Sequence, residues 1–231
     1  MKYQSIAIDG PSGAGKSTLA KQLARELGFL YVDTGAIYRT VGLFAKQENA
    51  DPDDSQAVAA LLSRLDIRMA YDGDGLQRMY LNGADVTDDI RRNEISYYAS
   101  RVSALPEVRA FLLDMQRRLA REHNVIMDGR HIGTVVLPDA DLKIYLTADA
   151  ADRAHRRYLE LLERGEQVDE AQILRDVVER DEHDIHRTVS PLKKAEDAVV
   201  VDTTGNSREE SYSQLLTVIR DKLNRAEGTH E

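Results

Sequence analysis

The 231-residue chain contains no cysteine and no tryptophan, and only five prolines and three phenylalanines. Without cysteine there can be no disulfide and no thiolate metal site. Long apolar runs are missing as well: none approaches the roughly 18 residues that a membrane-spanning helix needs. The opening stretch, MKYQSIAIDG, enters a strand-like pattern at once and leaves no room for the charged region, apolar region and cleavage site of a secretory leader. A cytoplasmic protein with no membrane partner is therefore expected. Positive charge is also in deficit, with 31 Lys and Arg against 40 Asp and Glu, a formal net charge of −9. A general nucleic-acid binder needs a basic face, so no nucleic-acid partner is expected, and any anion site must rest on locally gathered arginines.

What is present is the composition of a globular protein, 42% apolar and 31% charged. A chain of this length buries roughly 70–75% of its unfolded surface, enough for one substantial core. Short apolar runs at 3–8, 29–32, 125–127, 142–146 and 198–201 alternate with amphipathic stretches at 16–27, 36–47, 106–123, 151–164, 170–187 and 208–225. Gly28 and Gly165 close two of these stretches, and Pro106 opens another. This β-α alternation predicts an α/β fold, a parallel sheet flanked by helices. The continuous run at 198–201 reads as a strand buried on both faces. Residues 65–87 break the rhythm: LDIRMAY alternates, DGDG turns, LQRMYL follows, and Asn82-Gly83 is a two-residue hairpin signal, so a small antiparallel insertion is predicted. The polar tail 227–231 is expected to be disordered.

Between the first strand and the first helix stands GPSGAGKST, which fits the pattern G-x-x-x-x-G-K-[ST]. Gly10, Pro11, Ser12, Gly13, Ala14 and Gly15 let backbone amides close on phosphate oxygens; Lys16 reaches the outer phosphates; Ser17 can ligate Mg²⁺; and Thr18 continues the helix start. The pattern points to ATP but is silent about the reaction. A second acid belongs near the metal, and Asp128, at the C-terminal end of a predicted strand, is the candidate. Asp-Thr-Gly at 33–35 also occurs in aspartic proteases, but a phosphate loop before it and a helix after it argue against that chemistry.

A protein kinase would carry H-R-D and D-F-G, and a GTPase N-K-x-D, none of which is present. The chain offers arginines instead: Arg39, Arg109, Arg130, Arg153, Arg157, Arg180 and Arg187. An acceptor that is itself a phosphate needs no general base, only guanidinium groups that bring two polyanions together and stabilise the transferring group. Arg153 and Arg157 lie four apart, as do Arg180 and Asp184, with Arg187 three further on, so each set shares a helix face. An isolated charged helix with such spacing is ordinarily a solvated, salt-bridged face; beside a phosphate loop the pattern suits a nucleoside monophosphate kinase with an arginine-bearing lid. A kinase for another small acceptor and a non-catalytic nucleotide switch stay open, and the acceptor-side arginines argue against the switch.

IDGPSGAGKST, VDTGAIYR, DGRHIGTVV, KIYL, AHRR, ERD followed by HR and PL, and VVVDTT stand in the order found in bacterial cytidylate kinases, which the chain resembles over nearly its whole length. The resemblance implies a core with a five-stranded parallel sheet (about 1–35, 106–150 and 188–226), a monophosphate-binding region with an insertion (about 36–105), a mobile lid (about 151–168), and transfer of the ATP γ-phosphate to CMP or dCMP with Mg²⁺ in a monomeric enzyme. It implies that Thr34 lies near the acceptor, that Arg39, Arg130 and Arg187 hold its phosphate, that Ser100, Arg109 and residue 131 read the cytosine, and that Arg180 and Asp184 bind the ribose. Asp33 is assigned with Ser17 and Asp128 to the metal shell, Arg153 and Arg157 to the lid, and DTTGNS to the donor adenine.

The family usually reads D-G-R-D, whereas this chain has His131 in place of the last Asp. A neutral imidazole has one lone pair for the cytosine amino group and none once protonated. The expectation is a weaker preference for CMP over UMP, declining as pH drops through the imidazole pKa. His123, His155, His183 and His186 read as surface or packing residues, and the Tyr97–Tyr98 pair as buried in a helix face.

Overall fold

A computed structural model describes residues 3–73, 75–163 and 165–227. Beyond residue 227, the tail for which disorder is expected lies outside the described residues. The apolar runs form β1 (Ser5–Asp9), β2 (Leu30–Asp33), β6 (Val125–Gly129), β7 (Leu142–Thr147) and β8 (Val199–Asp202), and the insertion forms β3 (Ile67–Tyr71), β4 (Gln77–Leu81) and β5 (Ala84–Asp85). The helices are α1 (Lys16–Leu27), α2 (Thr34–Gln47), α3 (Ser55–Leu62), α4 (Asn93–Val102), α5 (Pro106–Glu122), α6 (Ala150–Glu163), α7 (Glu170–His186) and α8 (Arg208–Glu227).

The five-stranded sheet runs β2-β6-β1-β7-β8, every neighbour parallel. Successive side chains of a strand point to opposite faces, and the core divides accordingly. Ile6, Ile8, Ile126, Ile144 and Leu146 pack with Leu19 and Leu23 of α1 and Leu215 and Ile219 of α8. Ala7, Val125 and Met127 pack on the other side with Ile37 and Val41 of α2 and Val108 and Leu112 of α5. Each large side chain buried in this way contributes roughly 1.5–3 kcal/mol. A separate small cluster of Ala154, Leu161, Ile173 and Val177 joins α6 to α7.

The insertion is the expected antiparallel piece, a three-stranded sheet β3-β4-β5. It is tied to the core by the Gln77 side chain, whose oxygen accepts the Asp33 amide at 2.8 Å, and by the Tyr71 hydroxyl, which donates to the Tyr31 carbonyl. Three features depart from the sequence reading. The run at 198–201 is an edge strand, with Val199 41% and Val200 51% exposed: sitting last in the sheet, it has a neighbour on one side only. Tyr97 is exposed rather than buried, because α4 turns Ile95 and Ala99 inward and leaves Tyr97 outside beneath the Arg101 guanidinium. Helix α2 starts two residues early, at Thr34, because the Asp33 side chain caps it by accepting the Ala36 amide at 2.8 Å. Among the described residues no helix is long and apolar enough to cross a membrane.

Candidate active site

The C-terminal ends of β1, β2 and β6 meet at one edge of the sheet, where ligands of open α/β sheets bind. There β1 runs into the glycine-rich loop. Gly13 and Gly15 take φ of 76° and 81°, and Gly15 caps α1 with no side-chain bond, so the first amides of α1 point out unsatisfied. Gly10 has φ of 152°, and a Cβ on it would lie 1.9 Å from the Leu146 carbonyl oxygen, backbone against backbone. Gly10→Ala is therefore expected to abolish ATP binding and to lower the melting temperature by about 5 °C or more, read by calorimetry. Pro11 and Ala14 are buried behind the loop, while Ser12, Gly13, Gly15, Lys16, Ser17 and Thr18 face the groove. Lys16 donates from Nζ to the Pro11 carbonyl at 2.6 Å, and burial pushes its pKa well below the ordinary lysine value.

Asp128 lies at the end of β6. Its Oδ2 accepts the Ser17 hydroxyl and its Oδ1 the Tyr31 hydroxyl, both at 2.8 Å. Burial and then the nearby Asp33 carboxylate push the Asp128 carboxyl up to about 6, against the pull of Lys16. Asp33 also accepts the Arg39 guanidinium at 3.3 Å, and Thr34 donates its hydroxyl to the Asp128 carbonyl at 2.7 Å. One hydroxyl and two carboxylates thus converge beside the loop.

The opposite end of the groove is cationic. Arg130 donates from Nε to Asp184 Oδ2 at 2.8 Å, and Arg187 reaches Asp184 Oδ1 at 3.4 Å. Burial alone would raise the Asp184 carboxyl, but Arg130, Arg187 and Arg180 outweigh it and hold it below the ordinary value. Burial, then Arg130, brings Arg180 down to about 10; burial, then Arg109, does the same to Arg187. Clustered guanidinium groups that depress one another are a site made for an anion. Arg39 Nε, Arg109 Nε and Nη2, and Arg187 Nη2 are buried with no hydrogen-bond partner among the described residues. Four donors are left short of acceptors, which a phosphate or a base carbonyl would supply.

His131 is 5% exposed and its Nε2 lies 2.9 Å from Arg109 Nη1. A guanidinium only donates, so Nε2 accepts and the ring proton sits on Nδ1, which is buried without a partner among the described residues. Burial, then Arg109, Arg187 and Arg130, hold the imidazole pKa well below 6.5. The Nε2 lone pair that the sequence reading offered to a base amino group is thus already engaged by Arg109.

The two lid arginines part company. Arg153 is buried and does not line the groove: its guanidinium donates to the Ala148 carbonyl at 2.8 Å, the Ser12 carbonyl at 2.8 Å and Asp181 at 2.6 Å. Its donors lock α6 and α7 to the back of the phosphate loop, which corrects the reading of it as a ligand-facing lid residue. Arg157 remains on the groove, paired with Glu160 at 2.8 Å. Arg156, which the sequence reading passed over, lines the groove as well and donates to the Thr203 carbonyl at 2.5 Å, alongside Asn206, Ser207 and Arg208. Residues 153, 156 and 157, at i, i+3 and i+4, share one helix face, and spacing alone does not say which of them packs inward and which stays on the groove.

Loop, arginine cluster and α6–α7 enclose one continuous groove of about 1360 Å³ that also takes in Ser100 of α4. That volume exceeds the 300–1,000 Å³ of ordinary small-molecule pockets and suits two ligands end to end.

Comparison with known proteins gives one consistent outcome. The family model for cytidylate kinase matches residues 6–221. A cytidylate kinase of Caldicellulosiruptor bescii is 50% identical over 216 residues, covering 94% of this chain and 95% of its own. One from Carboxydothermus hydrogenoformans is 49% identical over 217 residues, covering 94% and 97%. Among solved structures, an uncharacterised protein from Eubacterium ventriosum superposes with a TM-score of 0.53 at 15% identity over 95% of this chain and 99% of its own, a likeness of fold alone.

Proposed function

The chain belongs to the cytidylate kinase family, and from that membership we infer the reaction at this groove: transfer of the γ-phosphoryl group of ATP to the phosphate of CMP or dCMP, giving ADP and CDP or dCDP. The observation that carries the reading is the two-ended groove, with a phosphate loop at one end and buried guanidinium donors lacking acceptors at the other. A nucleotide switch needs only the first end.

The donor phosphates lie against the amides of residues 12–18 and Lys16. The acceptor phosphate lies among Arg39, Arg130 and Arg187, near the Thr34 hydroxyl, with Arg180 and Asp184 at the ribose and Ser100, Arg109 and His131 at the base. An oxygen of the acceptor phosphate attacks the γ-phosphorus in line, the bond to the bridging β,γ-oxygen breaks, and ADP leaves with the electron pair. A phosphate monoester oxygen carries negative charge already, so no side chain need remove a proton. Lys16 and the arginines offset the charge that builds on the equatorial oxygens. The stretch at about 151–168 acts as the lid, closing beyond the Arg153 anchor, with Arg157 brought over the phosphates and water excluded.

Ser17, Asp128 and Asp33 fit Mg²⁺: they are hard oxygen donors, too few for an all-protein cage and suited to an ion held largely by phosphates and water. When bound there, Mg²⁺ supplies charge neutralisation across the donor phosphates. The Tyr31 and Ser17 hydroxyls fix the Asp128 carboxylate beside the loop, where it would help hold such an ion.

The deciding experiment is ADP release from ATP and Mg²⁺ against CMP, dCMP, UMP, AMP and no acceptor. Acceptor-dependent release with CMP and dCMP is expected. Release that ignores the acceptor would remove the reading.

A further inference from the structure

Asp9 touches no part of the groove and plays no part in the reaction as described. It ends β1, the central strand, and is 4% exposed. Its Oδ1 accepts the Ile132 amide and its Oδ2 the Gly133 amide, both at 2.7 Å. Those two amides open the Ile132–Val136 turn, which no side chain of its own flanking residue caps. Directly before the turn stand Arg130 and His131; directly after Asp9 comes Gly10 of the phosphate loop. One carboxylate therefore joins segments more than a hundred residues apart, the first leading into the donor end of the groove and the second carrying two acceptor-end side chains. A Cβ on Gly133 would lie 3.1 Å from Lys143 Cδ and at contact distance, 3.4 Å, from Asp9 Oδ2, so the turn packs closely on this carboxylate.

Keeping a carboxylate in the core is expensive unless its lone pairs are met. Here no cation pairs with it within ion-pair distance among the described residues: the two amides hold it, and the charges of Lys16 and Arg130 act on it from further off. Arg130 is thus held at both ends: its backbone by the Asp9 turn and its guanidinium by Asp184.

We propose that Asp9 is a positioning residue that sets the acceptor-holding turn at a fixed distance from the donor-phosphate loop, acting through Arg130 and His131. The proposal rests on the functional reading above, because it takes Arg130 and His131 as acceptor-side groups. Asp9→Asn removes one acceptor and turns an N–H₂ group toward an amide that needs one. The expected result is a CMP Kd raised about tenfold or more by titration calorimetry, with kcat reduced, while ATP affinity stays within about twofold. In an Arg130→Ala, His131→Ala background the same substitution is expected to change CMP affinity by less than about threefold, because the two groups it positions are gone.

A loss of melting temperature alone, an equal loss of ATP and CMP binding, or full additivity with the Arg130→Ala, His131→Ala pair would each overturn the proposal. If Asp9→Asn fails to fold, Gly133→Ala presses on the same contact from the other side and is judged by the same three readouts. Absence of CMP-dependent ADP release from the wild-type chain would instead defeat the reading of the reaction, with CMP binding still reporting on Asp9.

Discussion

Lys16→Ala is expected to lower kcat by on the order of 10³-fold, with CMP affinity kept within about threefold. Lys16 is the one lysine at the mouth of the loop, and it is buried where neither solvent nor salt weakens its field. Its own bond to Pro11 also braces the loop, so part of the loss will appear as weaker ATP binding. The acceptor end is separate in its bonding: Arg130, Arg187 and Asp184 are linked to one another, not to Lys16. Single-turnover rates and CMP titration of the variant check the division. A CMP affinity lost in proportion to kcat would show that donor and acceptor ends do not act independently.

His131→Asp is expected to raise the ratio of kcat/KM for CMP over UMP by about 10- to 100-fold. In the wild-type protein the single lone pair of the neutral imidazole is taken by Arg109 and the remaining N–H can only donate. A carboxylate in its place would pair with Arg109 and still have lone pairs to offer the amino group of cytosine. With its pKa held well below 6.5, the imidazole does not change charge near neutrality, so the wild-type ratio is expected to stay flat between about pH 6 and 8. A ratio unmoved by the substitution would place residue 131 outside base selection. A wild-type ratio that fell across that range would show the ring titrating near its ordinary value.

The buried imidazole also has a consequence for stability. The unfolded chain takes up a proton at His131 as pH falls below about 6.5, whereas the folded chain resists until well below that. Folding stability from this group is therefore present above the unfolded pKa and lost as the solution is acidified.

Much of the groove was legible in the sequence because its donor half is local. Gly10 to Thr18 lie within a single strand-loop-helix turn, where spacing alone specifies backbone geometry and leaves the amides of α1 facing outward. The five-strand core was legible for a related reason: period-two and period-3.6 patterns are properties of neighbouring residues. What only the tertiary structure decided lies wherever the answer depends on which distant groups come into contact. Arg153 and Arg157 look equivalent at a spacing of four, yet packing of α6 on α7 and on the loop turned the first inward to Ser12 and Asp181 and left the second on the groove. Val199 and Val200 have the apolar character of a central strand but lie exposed, because among the described residues no further strand pairs with β8. The tautomer of His131 was set by Arg109, and the role of Asp9 by two amides far along the chain. Such hydrogen-bond polarity is a property of pairs of residues brought together by the fold, and neither member carries it in its own sequence.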